Sequence, residues 1–322
     1  MIGKNLEKNS NNLSKNVLIF GSGRWARVYI EILVSLKDVK KIYVYTKNNN
    51  NYLSRWIKKN SYSSRIKIFK NFNKINFSKV DACIVVNSPE NHFKYSKISI
   101  ENNIPVLIEK PISTSLKELV GLNKIFKRKK SFISVSQVFN YTDYLSESKK
   151  LLKKIPLIHE VSIKWHDPEI ENRYGEVKKS SSISSVLDFM PHILSILESL
   201  FGKNLSLDKV ISYQNNSTKT KFTFVLNGIK TRISLHKSAK KRNRIFKFFG
   251  KNKRFELDFS EDKAFLKLSS KNKIEKNTFP ILEGSLKKMI IDFLKFDDKD
   301  FSYLRSFENH KIIFSLLNTG QN

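Results

Sequence analysis

Gly21-Ser22-Gly23-Arg24-Trp25-Ala26 forms a GxGxxA pattern between a short apolar run and a stretch of helical periodicity. Such a turn suits a dinucleotide. The first glycine permits the tight bend, and the second lets backbone approach a pyrophosphate. The small third residue lets helix and strand pack closely, and the helix N-terminus favours the anion. A plain glycine connection is the alternative. Where the second strand of such a unit ends, an Asp or Glu would bind the ribose 2′-hydroxyl of NAD. Tyr45-Thr46-Lys47 stands there instead. A hydroxyl beside a cation, without a carboxylate, suits a 2′-phosphate. NADP(H) is therefore expected ahead of NAD(H), which stays possible because lysine is common throughout the chain.

Two further segments carry reactive side chains. Glu109-Lys110-Pro111 closes the apolar run Val106–Ile108, and Asp188 and His192 stand four apart in an apolar stretch. A helix sets both of the latter on one face. Each has a structural reading when taken singly: a packed histidine, a helix cap, a lysine that ends a strand. No Cys/His cluster has zinc spacing, so no metal is expected. The single cysteine, Cys83, lies in an apolar run and reads as a buried small hydrophobe.

The elements around these residues follow from periodicity. Strands are expected at Asn16–Phe20, Lys41–Thr46, Ile66–Phe69, Asp81–Val86, Val106–Ile108 and Phe132–Phe139. Helices are expected between them: one from the glycine turn with Val28, Ile32 and Leu36 at the centre of its stripe, then Tyr52–Lys59, His92–Asn102 and Leu116–Phe126. Alternating strands and helices imply a doubly wound parallel sheet. After Glu160–Trp165 and an apolar helix at Ser185–Leu200, several strands follow one another from Leu207 to Leu268. Two helices, near Leu282–Phe296 and Phe301–Leu317, close the chain. Successive strands without helices between them imply antiparallel pairing. The fold class is thus an α/β Rossmann domain followed by an α+β domain with an open, mainly antiparallel sheet. The expected boundaries are a flexible arm at 1–15, a dinucleotide-binding domain at 16–131 and a substrate and oligomerisation domain at 132–322.

Composition narrows the partners. At 322 residues and 40% hydrophobic content the chain buries a core. The net charge of +31 invites a nucleic-acid reading. Yet only eleven of the 60 basic residues are arginine, the lysines are scattered, and alanine occurs only at 26, 82, 239 and 264. A drift toward A/T-rich codons accounts for this pattern, so no specific nucleic acid is expected. The polar opening and the lack of a long apolar run predict a cytoplasmic protein without a membrane span.

The glycine turn, Ser88-Pro89-Glu90-Asn91-His92, Glu109-Lys110-Pro111 and Asp188-Phe189-Met190-Pro191-His192 occur in an order that resembles the Gfo/Idh/MocA family, the glucose–fructose oxidoreductase and inositol dehydrogenase relatives. The resemblance implies hydride transfer between nicotinamide and an oxygen-bearing carbon of a sugar-like or other small polar substrate. Reduction of a C=N bond on the same fold, or a non-catalytic nucleotide-binding module, are the alternatives. It implies Lys110 in the active site, Asp188 beside it and His192 as acid/base. Such transfer needs a proton to move on the substrate oxygen, which histidine can handle and an ammonium can support. It implies cofactor contacts from Gly21, Ser22, Gly23, Arg24, Trp25, Thr46, Lys47, Ser88, Pro89, His92, Glu109 and Lys110. Asn140, Trp165, His166 and Arg173 are candidate substrate residues, and a homo-oligomer is expected through the C-terminal sheet. The chain departs from the family pattern at the serine-rich 180–185 stretch, at Ser195, around Asn140-Tyr141-Thr142 and in a Ser88–His92 turn one residue short.

Overall fold

The computed structural model describes residues 14–47, 51–173, 176–179, 183–216, 218–271, 273–281, 284–296 and 303–319, with backbone alone for 171–173 and 176–179. Most of the arm expected at 1–15 lies outside the described residues. The elements run β1 (Lys15–Phe20), α1 (Arg24–Ser35), β2 (Val39–Tyr45), α2 (Tyr52–Lys59), β3 (Ile66–Phe69), β4 (Ala82–Val85), α3 (His92–Glu101), β5 (Val106–Ile108), α4 (Leu116–Lys129) and β6 (Ile133–Val135). Contacts divide the chain into two compact units. The first holds residues up to Glu109 together with Val120–Ser134, and the second holds Lys110–Leu119 with everything from Val135.

In the first unit the strands lie in the order β3-β2-β1-β4-β5-β6, the doubly wound arrangement. β1 pairs in parallel with β2 and β4, β2 with β3, and β4 with β5. The apolar runs of β1 and β4 are buried on both faces, Val17–Phe20 and Ala82–Val85 alike, as parallel strands covered on both sides must be. Cys83 is among them, and burial pushes its thiol up to about 12, so it packs rather than reacts. Helix α1 buries Ala26, Tyr29, Ile30 and Leu33. Val28, Ile32 and Leu36 are only half-buried, so the stripe is centred on the Ala26 side, where the small residue meets the sheet. The sixth strand stops at Val135. Val138–Tyr141 forms a 3-10 turn, whose Phe139 is buried in the core of the second unit.

The second unit continues with α5 (Asp143–Leu152), β7 (Glu160–His166), β8 (Ile170–Arg173), β9 (Glu176–Lys179), α6 (Ser185–Phe201), β10 (Leu207–Asn215), β11 (Lys219–Leu226), β12 (Ile229–His236), β13 (Asn243–Phe249), β14 (Lys253–Asp258), β15 (Lys263–Ser270), β16 (Ile274–Pro280), α7 (Ser285–Lys295) and α8 (Tyr303–Thr319). Eight strands form one open sheet in the order β10-β11-β12-β7-β13-β14-β15-β16. All its pairs are antiparallel except β12 with β7. One face alternates Phe222, Phe224, Ile233, Val161, Trp165, Phe246 and Phe255 into the core. Helix α6, apolar nearly all round, packs against β11, β12, α5 and α8, which explains why its burial extends from Ser185 to Leu200. Helix α5, the β8–β9 hairpin and β16 extend the expected pattern. Among the described residues no helix is long and apolar enough to cross a membrane.

Candidate active site

The first unit builds a nucleotide cavity from backbone. β1 ends at Phe20 and the chain turns at Gly21, whose φ of +145° is a conformation L side chains rarely adopt. A Cβ there would lie 2.8 Å from the Val86 carbonyl oxygen, so only glycine fits. Gly21 N donates to Tyr45 O at 3.1 Å, tying the turn to the end of β2. Gly23 is the N-cap of α1 and has no side-chain cap. A Cβ built on it meets nothing within 4 Å, so the space over the helix N-terminus is open to an anion.

The cavity is about 460 Å³ and is lined by Gly21, Ser22, Gly23, Arg24, Trp25, Thr46, Lys47 and Ser88, with Phe20, Tyr45, Val86, Asn87, Asn91 and Tyr95. Phe20 stacks on Tyr95 at 4.7 Å between centroids, and Tyr45 tilts against Tyr95 at 5.8 Å. The hydroxyls of Ser22 and Thr46 share a 2.8 Å hydrogen bond, so Thr46 is presented together with Ser22. Arg24 and Lys47 are the cations of the lining, which includes no carboxylate. The N-terminal turn of α1, hydroxyls, amides and two cations form a donor set that fits a dinucleotide.

Four expected cofactor residues, Pro89, His92, Glu109 and Lys110, are outside that lining. His92 is fully buried, and its Nε2 sits 3.1 Å from Asn87 O. It braces the turn from beneath, and Asn87 and Asn91 face the cavity in its place. Pro89 opens the short 3-10 turn Pro89–Asn91 and is outside the lining. Glu109, at the end of β5, accepts a 2.6 Å hydrogen bond from the Tyr29 hydroxyl.

The second unit builds its polar cluster from side chains that are distant in sequence. Lys110 Nζ donates to Asp188 Oδ1 at 2.6 Å and to Asp188 O at 2.9 Å. The other carboxylate oxygen, Oδ2, lies 3.4 Å from Lys237 Nζ, which also donates to Ile183 O at 2.6 Å. Burial holds the Lys237 ammonium below the usual lysine range, against the Asp188 charge, which raises it. Lysine supplies no spacing signal in a chain this rich in it, so Lys237 was invisible to motif reading. One helical turn after Asp188, His192 is half-buried. Its ring lies parallel to Trp165 at 5.7 Å and edge-on to Phe139 at 4.9 Å. Two aromatic walls fix the ring plane.

The substrate candidates separate. Asn140 Nδ2 donates to Ser195 Oγ at 2.6 Å, one turn beyond His192 on α6. Trp165 is 1% exposed, so it supports His192 rather than lining a cavity. Its indole is covered by the Arg244 guanidinium at 4.7 Å, and Arg244 makes a buried bidentate pair with Asp167. His166 follows Trp165 on β7 and must face the opposite side of the sheet. There it meets Ser234 Oγ at 2.9 Å and the ring of His236 at 5.7 Å, away from α6. The side chain of Arg173 lies outside the described residues. Among the described residues no group of three or more His, Cys, Asp or Glu is placed to hold a metal ion.

Comparison with known proteins bears on this arrangement. Residues 15–137 match the model of an oxidoreductase family with an NAD-binding Rossmann fold, Gfo/Idh/MocA. No curated protein matches by sequence. Solved structures do match by fold. A 3-ketoreductase from Actinomadura kijaniata, bound to NADP and TDP-benzene, is 12% identical with a TM-score of 0.74, covering 94% of this chain and 96% of its own. The UDP-N-acetylglucosamine 3-dehydrogenase of Acidithiobacillus ferrooxidans is 13% identical with a TM-score of 0.72, covering 94% and 96%. A dehydrogenase from Clostridium difficile gives 13% and 0.72, covering 95% and 99%. Over residues 15–137 the chain is thus similar to the NAD-binding Rossmann domain of the Gfo/Idh/MocA oxidoreductases.

Proposed function

We propose that the protein is an NADP-preferring oxidoreductase acting on a hydroxyl or carbonyl carbon of a sugar-like or other small polar substrate. One observation carries the reading: Lys110 Nζ is held 2.6 Å from the carboxylate of Asp188, one helical turn from His192. A bound nicotinamide supplies or accepts the hydride. The chain's residues manage the substrate oxygen. Lys110, at the carboxyl end of β5 where open α/β sheets take their ligands, donates to that oxygen and supports negative charge on it. His192 takes or gives its proton, its ring held by Trp165 and Phe139. Asp188 fixes Lys110 through two contacts, the carboxylate and the backbone carbonyl. Similarity to a 3-ketoreductase solved with TDP-benzene and to a UDP-N-acetylglucosamine 3-dehydrogenase supports a sugar substrate.

NADP preference rests on Arg24 and Lys47 in a cavity lining without a carboxylate. NADPH should raise the thermal midpoint more than NADH at equal concentration, and Lys47→Asp should reverse that order. A homo-oligomer through the outer face of the eight-stranded sheet fits the exposed Phe265 there; gel filtration tests it.

The deciding experiment screens sugars, cyclitols and nucleotide sugars by the absorbance of reduced nicotinamide, then compares Lys110→Ala and His192→Ala. Each should bind NADPH and lose about 10²–10⁴-fold in turnover, about 3–5 kcal/mol. Near-normal turnover in both folded variants overturns the assignment.

A further inference from the structure

Lys237 follows β12 directly, and its backbone N donates to Thr218 O at 3.2 Å, so the residue is anchored to the sheet. Its side chain reaches α6 at two points, the carbonyl of Ile183 ahead of the first turn and Oδ2 of Asp188 within it. Asp188 already has an ammonium on Oδ1. The three side chains are 12–18% exposed. A second buried cation on a neutralised carboxylate is a poor way to gain stability, because desolvation and repulsion by Lys110 oppose it. An apolar residue of the same length would pack there at lower cost. The arrangement instead fixes a direction: with both oxygens held, the carboxylate plane cannot turn, and neither can the group on its other side.

We propose that Lys237 is a positioning residue of the active site, which pins Asp188 from the sheet side so that Asp188 presents Lys110 in one orientation. The inference rests on the reading of Lys110 as the group that meets the substrate oxygen, and adds a residue to that site. Lys237 faces Asp188, Lys110 and Asp167, and burial acts with Lys110 to disfavour its charged form. Its proton is therefore lost at a lower pH than that of an ordinary lysine. Arginine, which keeps its charge, should hold Asp188 without that loss.

The full chain is prepared with lysine carrying 13C at Cε and followed by NMR from neutral to alkaline pH. Lys237→Arg and Lys110→Arg assign the two signals by their disappearance. The Lys237 signal should titrate below the bulk of the lysines, and its midpoint should fall further in Asp188→Asn. The Lys110 signal should shift and broaden in Lys237→Met and return to its original position in Lys237→Arg. Where Lys237→Met fails to fold, the Asp188→Asn reading on Lys237 decides. A Lys237 signal that titrates with the bulk and ignores Asp188→Asn overturns the proposal, as does a Lys110 signal unmoved by Lys237→Met. These signals need no substrate, so their failure is distinct from failure of the site reading, which is tested by turnover of Lys110→Ala and His192→Ala.

Discussion

The nucleotide cavity and the lysine–aspartate cluster are built in opposite ways. In the first unit, Gly21 to Trp25 supply a run of consecutive lining residues, and the decisive atoms are backbone: a carbonyl that excludes a Cβ and the N-terminal turn of α1. In the second, Lys110, Asp188 and Lys237 are far apart in sequence, and the decisive atoms are side-chain termini. A backbone site tolerates change at any position that does not need glycine. A side-chain site depends on the packing that aims each group, including residues that touch no ligand. Substitutions should therefore act locally in the first and at a distance in the second.

The largest expected effect tests the second half of that contrast. Arg244→Met leaves the Asp167 carboxylate, 3% exposed, without its bidentate partner. Breaking a buried pair from one side costs about 3–5 kcal/mol, because the remaining charge stays buried and loses its two charge-assisted hydrogen bonds. Denaturant melts should show that loss, while NADPH affinity below the transition stays unchanged. Replacing both partners, Arg244→Met with Asp167→Leu, should recover most of it. A double variant no more stable than the single would show that the cation over Trp165, rather than the pair, is what matters.

Gly21→Ala comes next and tests the first half. The φ of +145° alone costs a non-glycine residue about 1–3 kcal/mol, and the contact with Val86 O forces the turn to move. Stability and NADPH binding should fall together. Gly23→Ala separates them, since its Cβ meets no protein atom. Its thermal midpoint should hardly change, while NADPH affinity drops on the order of tenfold, about 1.4 kcal/mol. Unchanged affinity in Gly23→Ala would falsify the pyrophosphate placement at the α1 N-terminus.

The same contrast decides what could be read from residues alone. The Rossmann half was legible because its signals are local: β3, α2 and β5 have the bounds that periodicity implies, and GxGxxA names its own turn. Lys110, Asp188 and His192 could be picked out, but only as members of an ordered set of motifs. Lys237 could not, because its role depends on where β12 ends against α6. Trp165 and His166, which the residues alone leave open between pocket and strand-end packing roles, separate for a related reason: a strand's period of two puts them on opposite faces of β7, so the pair could never share one pocket. Helix α5 did carry a signal. Tyr144, Leu145, Ser148, Leu151 and Leu152 are buried at helical spacing, and Asp143 lies in its first turn.

The smallest expected effect lies on the outer face of the eight-stranded sheet, where His166 and His236 stand opposite each other on β7 and β12. Burial holds both imidazoles below the ordinary value, helped for His166 by His236, Lys164 and Lys219 and for His236 by Lys219, while Asp167 pulls His166 back up. The sign follows from the unfolded chain, where each ring titrates near 6.5. Above that pH both rings are neutral in both states and the pair contributes nothing. As pH falls through 6.5, the unfolded state takes up protons that the folded state refuses, so stability declines until the folded rings titrate in turn. Thermal melts between pH 5 and 7.5 should show a decline that is shallower in His166→Gln and in His236→Gln. Because both rings are partly exposed, solvent screening keeps the difference small. Each single variant should also lessen the other ring's contribution, since each charge opposes its neighbour's. If the two substitutions instead act additively on the slope, the rings are uncoupled. The acid sensitivity would then belong to burial alone, and the outer face would depend on its side chains one by one, unlike the cluster on the other side of the same sheet.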